Sequence, residues 1–297
     1  MNKQIAYCKK RCRVAPGFIA ASLGVLLCVC SSSPLFAADE KTTGRLIVDD
    51  VLARPGKPAM LKARLVQDGL LGVTGLGGET IRFVVMGQHV GTALTGGDGR
   101  AFLEYKTQMR GNHPIVGEVE SSPRVNAVTG FGNYASWERR KPILFVDVVT
   151  LFKAGDGGAL LLPALPMFIA AKWGEPDEDA PRELTKLGKF YYNIVYLLRG
   201  DKGNLETLRA WLKTFEFPPG IARVIQPGPA KLLAFIEQLK EGGWDHIEAG
   251  IGQTKGFADT LVKNRIKAVI FPDPSKKEKF PRRAKIISTW KEVRKHL

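Results

Sequence analysis

The sequence has 297 residues, of which 44% are hydrophobic and 25% are charged. This composition is typical of a globular protein and excludes wholesale disorder, and the length allows two ordinary domains or one large domain. The 44 Lys and Arg outnumber the 29 Asp and Glu and give a formal net charge of +15, which favours anionic neighbours such as membrane headgroups or phosphorylated ligands.

Residues 1–38 have the pattern of a signal peptide. Five Lys and Arg residues precede an apolar run at 18–29, which is too short to span a bilayer comfortably, and Ala37 and Ala38 offer a cleavage point. We therefore expect export to the periplasm or the extracellular space. An uncleaved membrane anchor is the alternative, and lipidation fits less well because Leu27 and Val29, rather than small residues, precede Cys28 and Cys30.

All four cysteines lie inside this leader, at Cys8, Cys12, Cys28 and Cys30. Cleavage would leave a chain that has no disulfide, no thiol nucleophile and no thiolate metal site. Since nucleic acid is uncommon outside the cytoplasm, we do not expect it as a partner of the exported chain.

Residues 42–140 predict short strands that each have one buried face. Apolar and polar residues alternate at 59–65, 80–85 and 101–105, and turn-forming residues such as those at 54–56 and 95–99 separate these segments. Regular short strands with this spacing favour an antiparallel β-sandwich.

This segment resembles the bacterial immunoglobulin-like domains of exported proteins. The resemblance depends on Gly72, on residues 79–83 and on residues 91–101, where a strand ends in Thr, an Asp98-Gly99 turn follows, and Arg100-Ala101 opens the next strand. It implies an immunoglobulin-like fold for this part of the chain.

Residues 141–274 show a different pattern. Continuous apolar runs at 143–146, 194–198, 222–225, 247–251 and 268–271 indicate strands that are covered on both faces. Segments between them place apolar residues on one helical face, as Leu205, Leu208, Trp211 and Leu212 do. Strands that alternate with helices predict a doubly wound parallel α/β domain, with its boundary to the sandwich near Arg140.

The order of these elements resembles the haloacid dehalogenase superfamily, in particular its lipin-type phosphatidate phosphatase branch. The residues that carry the resemblance are Asp147 after the first strand and the segments 196–199, 208–212 and 217–220. In this superfamily an aspartate attacks phosphorus, a second acid two residues later protonates the leaving oxygen, and carboxylates hold Mg²⁺.

The resemblance assigns roles to five residues of this sequence. Asp147 takes the nucleophile position and Lys231 the position that neutralises phosphate charge, Thr150 and Arg199 are candidate substrate-binding residues, and Asp147 and Asp259 are candidate Mg²⁺ ligands. The match is partial, because the general-acid position falls on Val149 and the phosphate-binding hydroxyl position on Leu198.

Without a proton donor, hydrolysis would lose about 10²–10⁴-fold in rate. We therefore expect a degenerate phosphatase-like module that binds an anionic or phosphorylated ligand at the cell envelope. The first alternative is an active Mg²⁺-dependent phosphohydrolase in which Asp259 or Asp156 has taken over a missing role. The second is a structural envelope protein in which the sandwich makes the contacts.

Residues 275–297 form a strongly basic C-terminal segment. Trp290 and Val293 share a helical face, so we expect a final helix that packs on the sheet and leaves its charges in solvent. A tail that binds membrane headgroups is the alternative.

Overall fold

The computed structural model describes residues 41–69, 72–126, 128–153, 174–199, 205–272 and 278–297. The leader 1–38 and Asp156, to which the sequence analysis gives roles, lie outside the described residues. The described residues belong to one compact unit. In the described ranges, every helix is too short or too polar to cross a membrane.

The first nine strands form two sheets that pack face to face. They are β1 Arg45–Val48, β2 Val51–Ala53, β3 Ala59–Gly69, β4 Gly72–Gly75, β5 Thr80–Val85, β6 Gln88–Leu94, β7 Arg100–Tyr105, β8 Gly111–Val119 and β9 Thr129–Ser136. In one sheet β3 pairs with β1, β4 and β7, and the other sheet has the order β2-β9-β8-β5-β6. Between the sheets lies a core that includes Leu46, Leu61, Phe83 and Ile115, all with no exposed surface. The expected sandwich is therefore present.

One pair of strands departs from the expected antiparallel pattern. β2 pairs with β9 in parallel, with Val51 opposite Tyr134. The chain passes from one sheet to the other between β1 and β2, at Asp49 and Asp50.

The tight connection before β7 shows why its glycine is needed. Asp98 Oδ1 accepts a hydrogen bond from the Arg100 amide at 3.1 Å. Gly99 has a φ of 77°, and a Cβ added there would lie 2.1 Å from the carbonyl oxygen of Leu65. Any side chain at this position would therefore be strained and would collide with β3.

The remaining strands form a six-stranded sheet whose neighbours are all parallel, in the order β12-β11-β10-β13-β14-β15. The strands are β10 Ile143–Asp147, β11 Asn193–Arg199, β12 Ile221–Ile225, β13 Ile247–Gly252, β14 Lys267–Ile270 and β15 Lys285–Ile286. Residue 140, at which the sequence places the domain boundary, lies between β9 and β10.

Helices cover both faces of this sheet. They are α1 Ala180–Phe190, α2 Leu205–Thr214, α3 Pro229–Glu241, α4 Lys255–Lys263 and α5 Val293–His296. Apolar residues of α1, α2 and α5 belong to the core on one face, and those of α3 and α4 belong to the core on the other face. The helices thus bury the continuous apolar runs of the central strands on both sides.

The sandwich makes hydrogen bonds to the edge strand β12. Asp50, which is 5% exposed, accepts from the Ala222 amide at 2.5 Å and from the Asn133 amide at 2.8 Å. The side-chain amide of Asn133 donates to the carbonyl oxygen of Gly220 at 2.7 Å. These contacts satisfy backbone groups that an open sheet edge would leave available for pairing with another chain.

The C-terminal residues pack against the sheet. Ile287, Trp290 and Val293 are at most 1% exposed and belong to the core that contains α1 and α2. Trp290 begins a 3₁₀ turn, Trp290–Glu292, and its indole N–H donates to the carbonyl oxygen of Thr150 at 3.1 Å. This short turn and α5 take the place of the single final helix that the sequence predicts.

Candidate functional site

A small cleft lies where β10, β11, β12 and β13 reach their carboxyl ends. In open parallel sheets, ligands usually bind outside the carboxyl ends of the strands. The cleft has a volume of about 60 Å³ and is lined by Asp147, Leu197, Arg199, Ile225, Gln226, Pro227, Gly228, Pro229, Leu232, Thr254, Gly256 and Phe257. Two of the residues proposed from the sequence, Asp147 and Arg199, therefore meet at one site.

Asp147 is the last residue of β10 and is 2% exposed. Its Oδ1 accepts a hydrogen bond from the Val149 amide at 3.4 Å, which caps the 3₁₀ turn Val148–Leu151, and its Oδ2 pairs with Nη2 of Arg199. Burial raises the pKa of Asp147 above its usual value, while Arg199 and the Val149 amide oppose this rise. Both oxygens of the carboxylate are thus engaged inside the chain.

Arg199 is the last residue of β11, the strand beside β10. Its Nη2 donates to Asp147 and, at 3.4 Å, to the hydroxyl of Thr254. The Arg199 side chain is 18% exposed, so part of the guanidinium faces the cleft. The site therefore presents a partly accessible cation beside a buried carboxylate.

The starts of α3 and α4 also line the cleft. Gly228 and Pro229 line the cleft at the start of α3, where no side chain caps the helix, and the φ of Gly228 is 120°. Thr254 caps α4 by accepting from the Phe257 amide, and Gly256 lies in its first turn. The positive ends of two helix dipoles thus add to the charge of Arg199.

Thr150 is not among the residues that line the cleft. It has no exposed surface, and its hydroxyl donates to the carbonyl oxygen of Asp147 at 2.7 Å. The hydroxyl therefore stabilises the turn after β10, and a ligand in the cleft could not reach it. Val149, at the position of the general acid, is also buried, at 7% exposed.

Lys231 and Asp259 are not brought to the cleft. Lys231 is exposed on the first turn of α3, Asp259 is partly buried on α4, and neither lines the cavity. Across the described ranges, no group of three or more His, Cys, Asp or Glu side chains could hold a metal ion. In the described residues, Asp147 is bound by a guanidinium and Asp259 does not line its cleft, so the structure does not bring these two candidate Mg²⁺ ligands together there.

Thr254 was not singled out in the sequence analysis, although the sequence contains a signal for it. A Thr that immediately precedes a helical apolar pattern, here Phe257, Ala258 and Leu261, is a typical helix N-cap. Pro227 and Gly228 are turn-forming residues that precede Pro229 at the start of α3, but only the fold brings this loop to the site.

No protein-family model matches the chain, and no curated protein matches it. Fibronectin(III)-like modules of Clostridium thermocellum CbhA match with 13% identity over 32% of this chain and 99% of theirs, at a TM-score of 0.22. A CARDB domain from Pyrococcus furiosus, solved in complex with di-metal ions, matches with 18% identity over 32% of this chain and 92% of that domain, also at 0.22.

A longer but weaker match is with a sialyltransferase from Photobacterium damsela. It shares 7% identity over 77% of this chain and 42% of the enzyme, at a TM-score of 0.21. TM-scores of this size establish neither a common fold over the whole chain nor a function. The sandwich and the parallel sheet are therefore assigned from their own strand pairing.

Proposed function

We propose that this chain is an exported haloacid dehalogenase-like module that binds an anionic or phosphorylated ligand and does not hydrolyse it. The observation that carries the proposal is the ion pair between Asp147 and Arg199 at the wall of the cleft. This pair places a cation where the ligand would enter and engages the carboxylate that hydrolysis would require.

The proposal that hydrolysis is lost is supported at three points. Arg199 holds the Asp147 carboxylate, which a nucleophile would need free for attack on phosphorus. Val149 has no proton to give to a leaving oxygen, which costs about 10²–10⁴-fold in rate. The described residues also lack the converging carboxylates that Mg²⁺ prefers.

The proposal that an anion binds is supported by charge and size. Arg199 and the two helix starts direct positive charge at one small space, and guanidinium groups recognise phosphate and carboxylate through directed hydrogen bonds. The cleft volume of about 60 Å³ is small, so we expect a terminal anionic group of the ligand to enter it. The rest of the ligand would lie outside.

Calorimetric titration of the protein with sulfate and with inorganic phosphate tests the proposal. We expect both anions to bind and Arg199→Gln to abolish binding. Arg283→Gln removes the same charge from an exposed position on the C-terminal segment and should bind as the wild type does. Asp147→Asn should bind at least as tightly as the wild type, because it removes the internal counter-ion of Arg199.

The same preparations separate this proposal from its alternatives. Magnesium-dependent hydrolysis of p-nitrophenyl phosphate that disappears in Asp147→Asn would contradict it and favour the phosphohydrolase. Absence of anion binding in the wild type would also contradict it and favour the structural envelope protein.

A further inference from the structure

A second cavity, larger than the cleft at Asp147, lies at the other end of the parallel sheet, where strands β10, β11 and β13 begin. It has a volume of about 510 Å³ and is lined by Pro142, Leu187, Tyr191, Tyr192, Glu248, Arg294 and Leu297. Pro142 and Tyr192 directly precede β10 and β11, and Glu248 is the second residue of β13. The volume lies within the range of about 300–1,000 Å³ that small-molecule sites occupy.

One wall of this cavity is apolar and aromatic. Leu187 lies in the last turns of α1 and Tyr191 directly follows the helix, and Tyr191 is 58% exposed. Beside it, Tyr192 is 6% exposed, and burial together with a hydrogen bond to Glu248 raises the pKa of Tyr192 to about 12. The wall thus offers an exposed ring and a phenol that stays neutral at physiological pH.

The charged groups of the cavity already have partners in the chain. Glu248 Oε1 lies 2.9 Å from Lys267 Nζ, and Arg294 Nε donates to Glu183 at 2.6 Å. The side chains of Glu248 and Arg294 are nevertheless 32% and 48% exposed. Both groups can therefore still make hydrogen bonds to a ligand, Glu248 as an acceptor and Arg294 as a donor.

We propose that this cavity binds a neutral saccharide. A sugar ring has an apolar C–H face that packs on an aromatic side chain such as Tyr191, and hydroxyls that donate to Glu248 and accept from Arg294. A purely apolar ligand would leave both charged groups without hydrogen bonds from the ligand. An anion would face the carboxylate of Glu248, and a cation would face the guanidinium of Arg294. This inference is independent of the anion site, because the two cavities share no lining residue.

Saturation-transfer difference NMR on the full chain, with cellobiose, maltose and N,N′-diacetylchitobiose as probes, tests the inference. We expect ring C–H signals from at least one disaccharide. Tyr191→Ala should weaken its binding about tenfold, which corresponds to about 1.4 kcal/mol, the size of an aromatic packing contribution. Tyr191→Phe should retain binding, because it keeps the ring.

Phe102→Ala is the matched control, because Phe102 is an aromatic residue of similar exposure, 51%, on the sandwich strand β7. It should leave the signals unchanged. Binding should also persist in about 1 M NaCl, where charges are screened within ~3 Å, since a neutral ligand is involved. The inference is overturned if no disaccharide gives a signal, if Tyr191→Ala binds as the wild type does, or if salt abolishes binding.

Discussion

Arg209 Nη2 lies 2.7 Å from Asp50 Oδ1, and this ion pair joins helix α2 of the parallel-sheet region to the sandwich. Arg209 also donates to the carbonyl oxygens of Phe131 at 2.6 Å and Val48 at 3.1 Å. The Asp50 side chain is 1% exposed and that of Arg209 is 16% exposed. The two halves of the described chain are thus connected through a buried polar network as well as through apolar packing.

We expect Asp50→Ala to lower the free energy of unfolding by about 3–5 kcal/mol, because breaking a buried ion pair leaves its partner without a counter-charge. The Ala222 and Asn133 amides would lose their acceptor as well. Urea denaturation monitored by circular dichroism measures the change.

Asp68→Ala is the control for this substitution. Asp68 pairs with Arg45 at 2.9 Å, but its side chain is 38% exposed, so the loss should be at most about 1 kcal/mol. Equal losses in the two variants would show that the Asp50 network does not connect the halves.

We expect sulfate to bind more tightly as the pH falls through the raised pKa of the Asp147 carboxyl. Burial raises the pKa of Asp147, so its carboxyl takes up a proton earlier in this descent than an exposed aspartate would. The neutral carboxyl would then free Arg199 for the anion. Asp147→Asn should bind sulfate with the same affinity at every pH, and a wild-type affinity that does not change with pH would contradict this account.

The Asp147 carboxyl also makes the free energy of unfolding depend on pH. A folded-state pKa above the unfolded value means that the stabilising contribution of Asp147 is fully present below the unfolded pKa. It is lost as the pH rises through the raised folded pKa. Asp147→Asn should therefore reduce the decline in stability over that window, which thermal denaturation at several pH values measures.

The sequence predicts the strands of the parallel sheet well, because a central strand that is covered on both faces needs a continuous run of apolar residues. Helix α1 was not anticipated, since Glu183 occupies one of its buried positions and interrupts the apolar pattern. That position is polar because Lys186 and Arg294 bind the Glu183 carboxylate. Arg294 lies far from Glu183 in the sequence, so the local pattern of apolar residues does not reveal this contact.

The sequence predicts the position of a site residue only where that position follows from the pairing of parallel strands. Asp147 and Arg199 end adjacent parallel strands, so the register places them at the same edge. Lys231 depends on helix phase instead. Leu232 faces the cleft, and successive helical residues turn by about 100°, so Lys231 points into solvent. One residue of uncertainty in the start of α3 is enough to reverse such a prediction.

We expect Glu183→Gln to lower stability by about 1 kcal/mol near neutral pH. Glu183 is 2% exposed, and hydrogen bonds from Lys186 and Arg294 overcome the effect of burial and hold its pKa below the usual value. Its contribution is present above the unfolded pKa and is lost as the pH falls through the folded pKa. The difference between variant and wild type should therefore vanish in acid, as urea denaturation at a series of pH values would reveal; a constant difference would refute the charge assignment.

The position of Trp290 tests whether the basic C-terminal segment is docked on the sheet or free to bind membranes. Trp290 has no exposed surface and packs 5.7 Å, centroid to centroid, from Phe271. We expect Trp290→Ala to cost about 3–5 kcal/mol, the usual loss for a large buried aromatic residue, and Trp290→Phe to cost less. Lys291→Ala, at an exposed neighbour, should cost at most about 0.5 kcal/mol. Two results together would indicate that this segment leaves the sheet for the membrane surface. The Trp290→Ala variant would be as stable as the wild type, and the indole fluorescence of the wild type would shift to the blue when anionic vesicles are added.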